Sequence, residues 1–278
     1  MPELPEVETI RTRLAGSVTG RRFERVAILD PRLTRPADPI AVAAELHGER
    51  VRDLLRRGKY VIFAFESGRH LLVHLRMTGT FQHGAAGISA ADPHRRAVVS
   101  LDDGSDVVYR DVRRFGTWLL LEPGELERYW SGKLGVEPLG QEFTAERLAA
   151  TLAGRRAPIK AALLDQRTVA GVGNIYADEA LWRAGIHPLR AAGDLTPADV
   201  ARLRRAVRAA LELGIARQGA TLRDYRDPQG ASGAMQHEFK AYGREGEPCD
   251  RCGTAIEKIR AAGRGTSYCP GCQPFGGA

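Results

Sequence analysis

The strongest constraint on folding lies in the tail. The chain has four cysteines, placed as Cys249-x-x-Cys252 and Cys269-x-x-Cys272 with 16 residues between the pairs. Two such knuckles at this separation can set four thiolates tetrahedrally around one ion, as in a zinc ribbon or hairpin zinc finger. The other reading, two disulfides, is disfavoured by a reducing compartment. A redox Cys-x-x-Cys would open a helix in a larger α/β unit rather than occur twice in the last thirty residues. One structural Zn2+ is therefore expected. Four protein ligands leave no position for water, so the metal should fold the tail rather than catalyse.

The 278 residues suit two domains, or one with appendages. A 43% hydrophobic and 27% charged composition is that of a globular protein with a sizeable core. No run of about 18 apolar residues exists, so no membrane span is expected. No basic n-region precedes an apolar stretch, so no secretory signal is visible and a cytoplasmic location is expected. A net charge of +7 suits a polyanionic partner, although charge alone does not name one.

Periodicity changes along the chain. Val7, Ile10, Leu14 and Val18 predict a helix over 4–17. Short alternating runs follow at Phe23–Leu29, Tyr60–Phe65, Leu71–Leu75, Ala97–Leu101, Val107–Tyr109 and Thr117–Leu121, separated by turn signals such as Asp102-Asp103-Gly104. Such strands predict an antiparallel sandwich or barrel. From about Gly124 the pattern is helical, over 124–131, 145–153, 157–165, 174–185 and 197–215. The expected divisions are an N-terminal domain over 1–134, a linker over 135–143, a helical domain over 144–240 that includes a loop at 221–236, and a metal-bound tail over 241–278.

The chain opens Met1-Pro2-Glu3-Leu4-Pro5-Glu6. A small second residue normally permits removal of Met1, which would leave a secondary amine beside a carboxylate. An N-terminal amine titrates near ~7.7–8.0, against ~10.4 for lysine, so more of it is neutral and nucleophilic at physiological pH. Attack on a sugar carbon by a secondary amine gives an iminium, which cannot shed its charge by losing a nitrogen proton. A helix-capping start would also explain Pro-Glu-Leu-Pro.

Further clusters occur in a fixed order: Arg57-Gly58-Lys59-Tyr60, His74-Leu75-Arg76-Met77-Thr78-Gly79, Arg110-Asp111-Val112-Arg113-Arg114-Phe115-Gly116, Ile159-Lys160 running to Gly171-Val172-Gly173-Asn174 and Asp178-Glu179, and Tyr242-Gly243-Arg244 with Gly263-Arg264-Gly265-Thr266. With the N-terminal hexapeptide and the cysteines, this chain resembles the formamidopyrimidine-DNA glycosylases, bacterial base-excision repair enzymes for oxidised purines, from residue 2 to about 275. Leu4 favours that branch over the endonuclease VIII branch, which usually begins Pro-Glu-Gly-Pro.

The resemblance implies a multidomain α+β fold: an N-terminal β-sandwich flanked by helices, a helix–two-turn–helix domain and a C-terminal hairpin zinc finger. It implies a monomer acting on double-stranded DNA that contains oxidised bases or abasic sites. Pro2 would be the nucleophile and Glu3 the proton shuttle. Lys59 and Arg264 would grip phosphates at the reaction centre, and Glu6 would either shape that site or serve as an ordinary first-turn carboxylate. Met77, Arg113 and Phe115 would fill the gap left by an extruded nucleotide, although Met77 and Phe115 alone would pass for core residues. His74, His94, Arg114, Lys160, Asn174 and Tyr242 would add DNA contacts, and Glu179 would support the site. Gly171-Val172-Gly173 could hold a phosphate on its amides or be a plain interhelical turn.

Two departures from the family pattern stand out. Val112 replaces a proline before Arg113, which should loosen that turn. Gly233-Ala234-Met235-Gln236 replaces Gly-Tyr-Phe-Gln in the loop that covers the extruded base in relatives. An endonuclease VIII-like preference for oxidised pyrimidines, or a zinc protein that holds damaged DNA without processing it, would be the competing readings. A zinc-ribbon RNA-binding protein would explain the charge and the cysteines but not Pro2, Lys59 or Arg113-x-Phe115.

Overall fold

A computed structural model describes residues 1–275, which divide into two compact units. Unit 1 comprises Met1–Ser131 together with Arg217–Ala234, and unit 2 comprises Gly132–Ala216 with the chain from Met235 onward. The last three residues of the expected 241–278 tail lie outside the described residues. Among the described residues, no helix is long and apolar enough to cross a membrane.

Unit 1 begins with α1 (Leu4–Val18), whose apolar positions Leu4, Val7, Ile10, Leu14 and Val18 are all fully buried. The strands are β1 (Phe23–Ile28), β2 (Val51–Arg57), β3 (Tyr60–Phe65), β4 (His70–His74), β5 (Gly79–Ala85), β6 (Arg95–Leu101), β7 (Ser105–Asp111) and β8 (Thr117–Leu121). They form two antiparallel four-stranded sheets, ordered β1-β6-β7-β5 and β2-β3-β4-β8. Rings from both sheets meet edge to face between them. Phe63 of β3 lies 5.9 Å from Phe23 of β1 and 5.8 Å from Phe81 of β5, and Trp118 of β8 lies 5.7 Å from Tyr109 of β7. This interlock is the expected sandwich, with α1 packed on β2, β3 and β5. Helices α2 (Pro39–Leu46) and α3 (Glu125–Trp130) complete the unit.

Three elements had no sequence expectation. In β2, Arg52, Asp53, Arg56 and Arg57 obscure the alternation, and only Val51 and Leu54 are buried. β5 has glycines at Gly79 and Gly84 and a single large apolar side chain, Phe81. α2 is short and buries only Val42 and Leu46.

Unit 2 contains α4 (Ala145–Leu152), α5 (Ile159–Leu164), α6 (Asn174–Ala184) and α7 (Pro197–Ala216), followed by the hairpin β9 (Glu257–Ala261) and β10 (Arg264–Tyr268). The stretch 135–143, expected as a linker, is held in this unit. Arg208 donates to the carbonyls of Pro138 and Gly140, Gly135 N donates to Gln166 O, and the Phe143 ring is fully buried. The segment 217–234, expected mostly with the helical domain, instead belongs to unit 1. Thr80 Oγ1 donates to Arg226 O at 2.9 Å, His83 N donates to Pro228 O at 3.1 Å, and Arg13 faces Asp227.

Gly116 shows how closely the sandwich end is packed. A Cβ there would overlap the Tyr109 hydroxyl, which is buried and has no hydrogen-bond partner among the described residues. Gly116→Ala should cost about 1–3 kcal/mol by overpacking. Thermal or urea unfolding checks this, and an unchanged midpoint would contradict the packing described.

Candidate active site and nucleic-acid interface

In unit 1, Pro2 and Glu3 are buried at the head of α1. Glu3 occupies the N-cap, and the Glu6 carboxylate turns back so that Oε2 accepts the Glu3 N–H at 2.8 Å, a capping-box arrangement. Oε1 of the same carboxylate accepts the Ala220 N–H at 2.8 Å. Glu6, itself only 3% exposed, thus joins the start of the chain to the segment 217–234. Gly219 makes this possible. Its φ of +81° is left-handed, and a Cβ there would meet Glu6 Cγ at 2.8 Å. Glu6 is thus a first-turn carboxylate of α1 that also holds the segment 217–234.

A second chain of contacts runs from α1 to Lys59. Glu8 accepts from Arg56 Nε at 2.8 Å, and the Arg56 guanidinium also donates to the Gly58 carbonyl at 3.2 Å. Gly58 and Lys59 form the two-residue turn between β2 and β3, with Gly58 at φ +55°. Lys59 is 5% exposed. His74 ends β4 with its ring edge-on to Tyr60 at 4.6 Å, and its Nδ1 accepts the Arg76 N–H at 3.0 Å. Burial, then the charges of Arg76 and Lys59, push its imidazole down to about 3. His74 is therefore neutral, so any contact it makes with DNA is a hydrogen bond rather than an ion pair.

The expected gap-filling residues sit on two loops joined by one carboxylate. Asp111 is 1% exposed, and Thr78 Oγ1 donates to its Oδ1. Oδ1 also accepts the Arg113 N–H at 3.2 Å, and Oδ2 accepts the Gly116 N–H at 2.8 Å. Arg113 N further reaches Thr78 Oγ1 at 3.0 Å. The loops bearing Met77 and Arg113-Arg114-Phe115 are thereby locked together, and the turn with Val112 is held although it lacks proline. The Arg113 guanidinium lies 4.8 Å from the centre of the Phe115 ring, and Phe115 is 52% exposed. Met77 is half-buried. The charge of Arg114 is engaged otherwise than expected, in a bidentate pair with buried Asp30 at 2.6 and 2.9 Å. His94 is half-buried beside Asp92 and Arg96.

In unit 2, Gln166 shapes the turn before α6. Its Oε1 accepts the Gly171 N–H at 2.9 Å and its amide donates to the Val172 carbonyl at 2.8 Å. Asn174 opens α6 and donates to Gly265 O at 3.1 Å. Lys160, expected to bring charge to a phosphate, is fully buried instead. Its ammonium pairs with Asp178 at 2.6 Å and donates to Thr266 Oγ1 at 2.6 Å and Gly265 O at 3.3 Å. Asp178 also accepts the Ser267 N–H at 3.0 Å, and burial pushes its carboxyl up to about 7 against the pull of Lys160. These bonds fix β10 on the helices. Glu179 accepts backbone N–H groups from Lys240, Ala241 and Tyr242 at 2.9–3.1 Å, fixing the segment with half-buried Tyr242. Arg264 is exposed just past the two-residue turn Ala262-Gly263, where both residues have positive φ.

The four cysteine sulfurs lie within 4.8 Å of one another, with separations of 3.8, 3.5 and 3.4 Å for three of the pairs. Tetrahedral Zn–S bonds of about 2.3 Å require sulfurs about 3.8 Å apart, so the set fits one zinc ion. Donors already point at sulfur. The Trp182 indole N–H lies 3.4 Å from Cys249 Sγ, and the Arg251 and Cys272 N–H groups face Cys249 and Cys269 at 3.5 and 3.4 Å. Such donors suit thiolates, and zinc here would cross-link the base of the β9–β10 hairpin.

Three family models match in order: the formamidopyrimidine-DNA glycosylase N-terminal domain over residues 1–118, its H2TH domain over 134–226, and the zinc finger found in FPG and IleRS over 246–274. A curated formamidopyrimidine-DNA glycosylase from Symbiobacterium thermophilum is 50% identical over 276 residues, covering 99% of this chain and 90% of its own. The chain belongs to the formamidopyrimidine-DNA glycosylase family. A member from Geobacillus kaustophilus is 46% identical over 98% of this chain and 100% of its own. Among solved structures, a variant of the Lactococcus lactis enzyme in complex with Fapy-dG-containing DNA matches with a TM-score of 0.92 at 35% identity, covering 98% of this chain and 100% of that one. The same enzyme with abasic-site DNA matches at 0.91 and 35%, covering 98% and 99%. The helix–two-turn–helix and zinc-finger expectations are thus met.

Two outcomes test this geometry. An unfolded His74 takes up a proton near pH 6.5, which the folded one refuses down to about 3. Stability is therefore lost as pH falls through that window, at up to about 1.4 kcal/mol per pH unit. His74→Asn keeps an acceptor in the place of Nδ1 and cannot titrate. In urea unfolding it should lose about 2 kcal/mol less than the parent between pH 7 and 5, and equal losses would refute the assignment. Metal analysis should find about one zinc per chain, and its removal should weaken DNA binding. A zinc-free preparation that is folded and binds DNA fully would exclude the four-cysteine site.

Proposed function

We propose that this chain excises oxidised purines, 8-oxoguanine and formamidopyrimidines, from duplex DNA and then cleaves the strand through an iminium on Pro2. The observation that carries the reading is the buried Pro2-Glu3 pair, fixed at the head of α1 by Glu6, in a member of this glycosylase family. Removal of Met1 frees the Pro2 nitrogen. Its lone pair attacks C1′ of the extruded nucleotide, the C1′–N bond breaks with its electron pair leaving on the base, and the proton lost by the Pro2 nitrogen neutralises the departing base. Glu3 gives a proton to the ring oxygen as the sugar opens, leaving the iminium. That electron sink acidifies C2′–H. Loss of the proton expels the 3′ phosphate, a second elimination expels the 5′ phosphate, and hydrolysis returns Pro2.

The remaining residues bind and orient. Lys59 neutralises a phosphate beside the reacting sugar, and Asn174 with the amides at the start of α6 holds another. Arg264 grips the backbone from the hairpin tip, which Lys160, Asp178 and zinc keep in place. Met77, Arg113 and Phe115 fill the space left by the extruded nucleotide, and Arg113 can hydrogen-bond the orphaned partner base. His94, Arg114 and Tyr242 flank these groups as weaker contacts, and His74 contributes as a neutral partner. The work is done on DNA in the cytoplasm, where the four thiols stay reduced. Oxidised pyrimidines are the second reading, because the Lactococcus lactis relative has been solved with DNA containing one.

Borohydride added during turnover of duplex carrying 8-oxoguanine opposite cytosine should trap a covalent complex mapped to Pro2. Absence of trapping on both the lesion and an abasic site, with Met1 shown to be removed, would sink the proposal. Trapping on oxidised pyrimidines alone would favour the second reading. Pro2→Gly should keep lesion binding in a gel shift and lose roughly 10²-fold or more of cleavage.

A further inference from the structure

Unit 2 carries a second cationic feature away from the start of α6. A cavity of about 390 Å³ is lined by Arg183, Arg202, Arg205, Ala206, Ala209 and Arg251. Arg202, Arg205, Ala206 and Ala209 are spaced i, i+3, i+4 and i+7, so one stripe of α7 supplies one wall. Arg183 comes from the last turn of α6 and Arg251 from the knuckle between Cys249 and Cys252. Arg183 lies nine residues beyond Asn174, about 13 Å along the helix axis at 1.5 Å per residue. The cavity is therefore at the opposite end of α6 from the turn expected to hold a phosphate.

The guanidinia fall into two kinds. Arg251 is anchored: it donates to the carbonyls of Trp182 and Arg183 at 2.8 and 3.1 Å and stacks 3.8 Å from the Trp182 ring centre. Arg202 is held by Asp199, a carboxylate that Arg190 also engages at 2.9 Å. These two arginines cap the α6 carbonyls and satisfy the negative end of that helix. The other two answer no such need. Arg205 is exposed and makes no ion pair among the described residues; the charge of Arg183 acts on the buried Glu179 carboxylate, yet among the described residues its Nε is buried without a hydrogen-bond partner. A buried guanidinium donor left without an acceptor, beside the uncompensated charge of Arg205, is a place where a phosphate oxygen would be stabilised.

We infer that this cavity is a second phosphate-binding site, distinct from the turn before α6, taking the phosphodiester backbone of DNA or a soluble polyphosphate. Planar guanidinia bind phosphate oxygens in pairs, and two are already fixed in orientation. The lining residues offer guanidinium donors and two alanine methyls. The charge of these side chains suits an anion better than a base or a peptide side chain. On DNA it would strengthen sequence-independent binding without touching the reaction.

The test uses the full-length zinc-loaded protein and the double variant R183Q/R205Q, which leaves the anchored Arg202 and Arg251 intact. Affinity for lesion-free duplex is measured across a salt series, tripolyphosphate binding by calorimetry, and excision from saturating 8-oxoguanine duplex in single turnover. If the site holds DNA, the slope of log K against log salt falls by about 1–2, at roughly 0.9 for each phosphate no longer neutralised, and excision at saturation is unchanged. If the variant loses tripolyphosphate binding while the DNA slope stays, the site is upheld with a soluble polyphosphate as its ligand. If neither the slope nor tripolyphosphate binding differs between variant and parent, the inference is overturned. Excision by the parent, read in the same samples, separates that failure from a failure of the lesion chemistry.

Discussion

The carboxylate of Glu6 is the contact on which unit 1 turns. One oxygen caps the first turn of α1, and the other accepts a backbone N–H from Ala220, more than two hundred residues later in the chain. Charge-assisted bonds of this kind are worth about 1.5–3 kcal/mol each, and leaving a buried carboxylate with one partner missing costs more than never having placed it there. The start of the chain is thereby fixed in position and direction. Gly219 is the steric condition for this contact.

The same device recurs with other residues. Asp111 joins the two loops that carry Met77, Arg113 and Phe115. Gln166 folds the turn before Asn174, and Asp178 with Lys160 seats the strand that carries Arg264. In each case a polar side chain, buried for Asp111 and Asp178 and half-buried for Gln166, takes up backbone groups of a loop, while Arg113, Phe115 and Arg264 stay exposed nearby. The exposed residues can then be long, charged and mobile while their attachment points are not.

Much of this is legible in the sequence. The zinc knuckles, most of the sandwich strands and the helices other than α2 follow from spacing and periodicity, because those signals are local. β2 escapes because Arg52, Asp53, Arg56 and Arg57 hide its alternation, although Arg56 is engaged by Glu8 rather than solvated. Lys160 misleads because a lysine in a sequence carries no mark of burial: only the fold reveals Asp178 one helix away. Asp111 and Gln166 are inconspicuous for the same reason, since their value lies in which distant N–H groups they meet. The segment 217–234 rests with unit 1 because bonds to Glu6 and Thr80, not composition, decide its place.

Unit 1 is discontinuous in sequence, and this has a consequence for synthesis. The sandwich strands leave the ribosome early, yet Ala220 emerges only after the helices of unit 2 have been made. Until then the Glu6 carboxylate lacks the Ala220 N–H, and the edge of β5 around Thr80 and His83 lacks the segment that hydrogen-bonds to it. An N-terminal domain ordinarily completes first during translation. Here its completion waits on the chain beyond α7, so the buried environment of Pro2 is assembled only when most of the molecule already exists.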